Sequence, residues 1–154
     1  MGTFPLPNLG PKLRALSKEL HTGRGFFVLR GVDVDNYSTE DNVIIFAGIS
    51  SYIGQVRGRQ QSEVVNGVTR STMLNHIKDY TDTSPNDAAC APAYTRDCQP
   101  FHTDAGDIVA LFSLSKSAAG GESKLASTWR VYNELAKTRP DIINTLASDW
   151  IFDG

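Results

Sequence analysis

Histidine is scarce in this chain: His21, His76 and His102 are the three in 154 residues, and none follows His102. A site built on several imidazoles must therefore draw on widely separated segments. Cysteine is scarcer, with only Cys90 and Cys98 in one loop-like stretch. They read as two free thiols of a reducing compartment, since structural disulfides belong to oxidising ones. A zinc site wants closer pairs and more ligands. Long apolar runs are missing, and nothing approaches the roughly 18 residues of a membrane helix. The N-terminus has no charged segment leading into an apolar one, and Leu6 stands where a myristoylation motif wants Ser or Thr. Without a secretory route the Asn36-Tyr37-Ser38 sequon has no role. Excess charge is missing too: 15 Lys and Arg against 17 Asp and Glu leave a net charge of −2, which is no field for nucleic acid. These absences argue against nucleic-acid and membrane partners and point to the cytoplasm.

What is present is an ordinary globular composition, 40% hydrophobic and 21% charged, long enough for one domain over residues 1–154. There are no internal repeats and no linker. Leu13, Leu16 and Leu20 share a face between Pro11 and Gly23, which predicts a short amphipathic helix. Gly25 to Gly31 (GFFVLRG) reads as a buried strand. Ser38 with Asp41 three residues on opens a second helix. Val43, Phe46, Ala47 and Ile53 give that helix its apolar stripe, and Gly54 its stop. Gln55 to Gln61 reads as a solvated loop, with Arg57 and Arg59 open to a rim contact with an anionic ligand. Asn66-Gly67 between β-branched residues predicts a hairpin whose second arm runs from Val68 to Leu74. Tyr80 to Pro100 is a long polar segment with three prolines, of the length that tends to be functional. Asp107 to Leu114 (DIVALFSL) and Glu122 to Ser127 read as strands, separated by a Gly120-Gly121 turn. Trp129 to Arg139 and Pro140 to Leu146 read as helices, and the apolar Trp150 to Phe152 as the opening of a further strand.

The chemistry concentrates at Pro100-Phe101-His102-Thr103-Asp104-Ala105-Gly106-Asp107. In extended backbone, residues i and i+2 point the same way, so the His102 imidazole and the Asp104 carboxylate converge. A histidine and a carboxylate are two thirds of the facial triad that holds Fe(II) and leaves positions open. Three letters with a free middle are a weak pattern by themselves. His76 has no partner at metal spacing and reads as a structural or pocket-wall residue.

The surrounding text is far more specific. F-H-T-D-A-G-D-I-V-A-L, then G-G-E-S-K-L-A-S and V-Y-N-E-L, resembles the taurine/2,4-D type (TauD/TfdA-like) of Fe(II)- and 2-oxoglutarate-dependent dioxygenases, in particular fungal members. G-F-F-V-L-R-G, I-S-S-Y-I-G and M-L-N-H-I-K-D resemble the same group, so the likeness extends from about Gly25 to Gly154. It implies an α+β chain with a double-stranded β-helix, a jelly roll of the clavaminate-synthase-like kind. It also implies an enzyme that oxidises a small organic substrate with Fe(II) as metal and 2-oxoglutarate as cosubstrate. By motif, His102 and Asp104 are the first two iron ligands, and Ser123 in the Gly-Gly-Glu-Ser turn stands near the 2-oxoglutarate carboxylate.

The chain departs from that family in one respect. The third iron ligand of the family is a histidine far downstream, followed by an arginine for the distal carboxylate of 2-oxoglutarate, and no histidine follows Asp104. Arg130 and Arg139 fall in a predicted helix and at its end. The expectation is an N-terminal part of the fold, incomplete at its C-terminal end, with unpaired sheet edges open to self-association or a partner chain. Two other readings stand beside the dioxygenase. One is a non-catalytic remnant or interaction module of the same fold. The other is a metal-dependent hydrolase using His102, Asp104 and His76.

Overall fold

The computed structural model describes residues 4–59, 61–65, 68–82 and 92–151. Two compact units divide the chain, Met1–Leu114 and Ser115–Gly154.

The first unit begins with helix α1, Gly10–Thr22, with Pro11 in its first turn, where a missing N–H breaks no helical bond. Gly23 closes the helix by donating its N–H to the Glu19 carbonyl at 2.8 Å. Leu13 is fully buried. Gly10 is also buried, and a Cβ there would lie 2.7 Å from the Tyr52 ring, so only glycine lets α1 approach so closely. Tyr52 is the tie of this unit. Its hydroxyl donates to the Phe4 carbonyl at 2.8 Å and accepts from the Leu6 N–H at 3.1 Å. The Arg14 guanidinium lies over its ring, 5.7 Å from the centroid. Nearby, the Ser17 hydroxyl donates to the Ile53 carbonyl at 2.7 Å.

Helix α2, Thr39–Ser50, starts as the sequence predicts: the Ser38 hydroxyl oxygen accepts from the Asp41 N–H at 3.1 Å. Past Ser50 the backbone tightens into turns that end where Gly54 donates to the Ser50 carbonyl at 2.9 Å. The buried face differs from the expected stripe. Asn42 and Gly48 are buried, Phe46, Ala47 and Ile53 are half-buried, and Val43 is exposed. The helix is apolar almost all round, so periodicity alone does not choose a face. Two contacts choose it. Asn42 Nδ2 donates to the Val34 and Tyr37 carbonyls at 2.9 and 3.3 Å, securing the 3-10 turn Val34–Asn36, and Phe4 packs against Gly48.

Strands β1, Gln61–Val65, and β2, Val68–Thr72, form an antiparallel hairpin with Val65 opposite Val68 and Gln61 opposite Thr72. That register leaves the two-residue connection read from Asn66-Gly67, both of which lie outside the described residues. The second arm stops at Thr72, two residues before the expected Leu74.

The other expected strands are corrected. Gly25 to Gly31, Asp107 to Leu114 and Glu122 to Ser127 carry no ladder, and β1–β2 is the only paired sheet among the described residues. Apolar composition marks a stretch that suits a sheet, but a strand forms only when a neighbour takes its backbone N–H and C=O groups. Ile108 and Phe112 are half-buried, while Val109, Ala110 and Leu111 between them are exposed. Phe112 stacks on Phe46 of α2 with ring centroids 5.4 Å apart and planes at 8°. Leu111 and Val28 are each 73% exposed, so these segments leave apolar surface uncovered.

In the second unit, Gly120 and Gly121 adopt φ of +69° and +76°, a turn that favours glycine. Helix α3, Thr128–Thr138, is capped by Ser127, whose side chain accepts from the Arg130 N–H at 3.2 Å. Helix α4, Pro140–Leu146, packs on α3. Arg139 between them makes a two-pronged ion pair with Asp141, from Nε at 2.9 Å and Nη2 at 2.7 Å. That pair holds the Asp141 carboxyl below its ordinary range. No helix among the described residues is long and apolar enough to cross a membrane.

Candidate metal site

His102 and Asp104 are brought together as their spacing predicts. His102 Nε2 lies 3.4 Å from Asp104 Oδ1, and both side chains are about half exposed, at 49% and 57%. The other ring nitrogen, Nδ1, lies 2.8 Å from the Pro100 carbonyl oxygen. A carbonyl only accepts, so Nδ1 carries the hydrogen. In the neutral ring Nε2 then presents a lone pair toward Asp104. Two lone-pair atoms facing one another are favourably bridged by a proton, a water or a cation. Metal–nitrogen and metal–oxygen bonds run about 2.0–2.2 Å, so atoms 3.4 Å apart are close enough to share one ion. A carbonyl that fixes the tautomer and aims the ring is the usual second partner of a metal-ligating histidine. An imidazole nitrogen and a carboxylate oxygen are donors that a divalent transition metal takes, and the pair supplies one of each. Gly106, two residues on, has φ of +99°, a turn that favours glycine directly after the pair.

Upstream of the pair stands a charged cluster that motif reading passed over. Arg96 donates from Nε to Asp79 Oδ2 at 2.6 Å and from Nη2 to Asp82 Oδ2. The Thr81 N–H donates to Asp79 Oδ1 at 2.9 Å. The Thr81 hydroxyl, its backbone N–H and the Arg96 guanidinium together hold the Asp79 carboxyl down at about 2. A depressed carboxyl contributes stability above its ordinary pKa and loses it only as pH falls toward that lowered value. Asp79 is therefore ionised at neutral pH. The sequence signal was two aspartates and one arginine at opposite ends of a proline-bounded loop, which defines no pairing by itself.

Over residues 2–153 the chain matches the family described as Taurine catabolism dioxygenase TauD, TfdA. It belongs to that family. It is similar to the taurine hydroxylase-like protein SAT17 of Stachybotrys chartarum, 42% identical over an alignment of 156 positions that covers 98% of this chain and 39% of the relative. It is also similar to FR-33289 synthase of Streptomyces rubellomurinus, 26% identical over 97% of this chain and 42% of that protein. This TauD/TfdA chain spans about two fifths of the length of these relatives. No solved structure matches it.

The remaining sequence-selected residues of this TauD/TfdA chain fall elsewhere. No third His, Cys, Asp or Glu joins His102 and Asp104 in a cluster among the described residues. His76 is exposed in the segment after β2. Ser123 belongs to the second unit, exposed in an irregular stretch before α3. Arg57 donates to the Ala47 carbonyl at 3.4 Å, near the end of α2. Arg130 lies in α3 and Arg139 directly after it. Cys98 is a free, exposed thiol, and Cys90 lies outside the described residues.

Proposed function

We propose that this chain is the iron-binding part of an Fe(II)- and 2-oxoglutarate-dependent dioxygenase that oxidises a small organic substrate, with His102 and Asp104 as two of its three protein ligands. The observation that carries the reading is His102 itself: Nδ1 is committed to the Pro100 carbonyl while Nε2 faces Asp104. Both residues sit on the family's H-x-D segment. Iron with 2-oxoglutarate supplies oxygen activation, which no protein side chain provides. What the chain contributes is binding and orientation. Pro100 fixes the tautomer, His102 offers a neutral nitrogen and Asp104 one negative charge. The third donor, and the arginine for the distal carboxylate of 2-oxoglutarate, are assigned to sequence beyond these 154 residues, in keeping with the greater length of the relatives. Ser123 is assigned to the cosubstrate carboxylate.

The same reading makes the fold a double-stranded β-helix. Its further strands would pair with Gly25 to Gly31 and Asp107 to Leu114, whose exposed apolar side chains suit a covered sheet. A partner chain, or a second copy, is the alternative cover for those edges.

The lack of a third donor among the described residues favours one rival, a non-catalytic module of the same fold. Calorimetric titration with 2-oxoglutarate, with and without Mn(II) as an inert stand-in for Fe(II), separates the readings. The dioxygenase reading expects 2-oxoglutarate to bind only when metal is present, and to lose that binding in Asp104→Ala. No binding under either condition would favour the module. Metal-dependent ester cleavage without oxygen consumption would favour the hydrolase.

A further inference from the structure

We infer that Arg96 is a positioning residue for the His102–Asp104 pair, acting through Asp79 and Asp82. The inference rests on reading that pair as metal ligands. The described residues on either side of Arg96 are tied to one another almost continuously. The Tyr80 N–H donates to the Tyr94 carbonyl at 2.9 Å, and the two rings are tilted at 60° with centroids 6.0 Å apart. The guanidinium joins Asp79 to Asp82 one turn further along. The 3-10 turn Pro92–Tyr94 is closed by Thr95, whose N–H and hydroxyl both reach the Pro92 carbonyl, at 3.2 and 3.1 Å. The Asp97 N–H then donates to the Thr95 hydroxyl oxygen at 3.2 Å. From Asp97 only Cys98 and Gln99 separate this tied stem from Pro100, the residue that orients His102.

An exposed ion pair by itself adds little to stability. Here the effect is positional. The segment from Asp97 to Asp104 has no strand ladder, so its conformation depends on where its stem is held. Releasing the stem lets it sample states in which the Pro100–His102 bond is unmade. The metal must then bind the competent fraction only, and apparent affinity falls in proportion to that fraction. A competent fraction near one tenth corresponds to an affinity loss of about tenfold.

The test is Co(II) binding to the 154-residue chain, followed by its visible absorption. Arg96→Ala and Asp79→Asn are each expected to weaken binding about tenfold, with helical circular dichroism unchanged. Arg96→Lys is expected to recover part of the loss, since a point charge cannot bridge two carboxylates as the guanidinium fork does. Through-space charge alone would move the first two variants in opposite directions, because one removes a positive group and the other a negative one. Arg139→Ala, which breaks the comparable pair in the other unit, is expected to change nothing. Parent-like binding in Arg96→Ala, or opposite shifts in Arg96→Ala and Asp79→Asn, would overturn the inference while His102→Ala still abolishes binding. Parent-like binding in His102→Ala would overturn the ligand reading and the inference with it. If Arg96→Ala loses helicity, Asp79→Asn and Arg96→Lys carry the same test.

Discussion

Replacing His102 by alanine is expected to weaken Fe(II) binding by at least about 100-fold. Outer partners of metal ligands alone cost 10–100-fold, and here a ligand itself is removed. Asp104→Ala is expected to do the same, because the remaining imidazole is then a single donor. His76→Ala serves as the control. His76 is exposed and joins no donor cluster among the described residues, so affinity should stay at the parent level. The measurement is anaerobic Fe(II) titration against a competing chelator. Equal losses in all three variants would mean that His76 closes the site, contrary to the assignment of the third donor to other sequence.

The largest expected loss of stability comes from Leu13→Ala. Leu13 is the fully buried large side chain of the first unit among the described residues, on the face of α1 near Gly10. Deleting its buried methyl groups costs the transfer free energy plus that of the cavity left behind, about 2–5 kcal/mol. A domain is stable by only about 5–15 kcal/mol in total, so this one change removes a large share. Urea unfolding followed by helical circular dichroism checks it, with Leu16→Ala on the same helix expected to cost less. A midpoint for Leu13→Ala equal to the parent's would show that α1 is not anchored by this residue.

The parts of the fold legible in the sequence are those with local causes. Pro11 and Gly23 bracket α1, and Ser38 and Asp41 open α2, because each acts on its own few backbone groups; the hairpin expected around Asn66-Gly67 is present as the paired strands Gln61–Val65 and Val68–Thr72. The strands at Gly25 to Gly31 and Asp107 to Leu114 were not settled in the same way. A strand's partners are remote, and nothing within seven apolar residues says whether they are at hand. The buried face of α2 was misjudged at Val43 for a related reason: Asn42 is held by the Val34 and Tyr37 carbonyls, which only the folded turn brings near. At the site, the H-x-D spacing foretold the convergence of His102 and Asp104. It did not foretell the Pro100 carbonyl that sets the tautomer, nor the Arg96 cluster, because both depend on loop geometry. The role of Ser123 rests on the family resemblance, since nothing local marks a serine after a Gly-Gly turn, and it lies in the other compact unit from the pair.

On the proposed reading, His102 and Asp104 form a working part of an iron and 2-oxoglutarate site. The measurement that tests it most directly is an anaerobic titration of the purified chain with Fe(II) and 2-oxoglutarate, watching for the visible iron-to-cosubstrate charge-transfer band. The account expects a band in the parent that disappears in His102→Ala and Asp104→Ala. A band that persists unchanged in His102→Ala or in Asp104→Ala would contradict it.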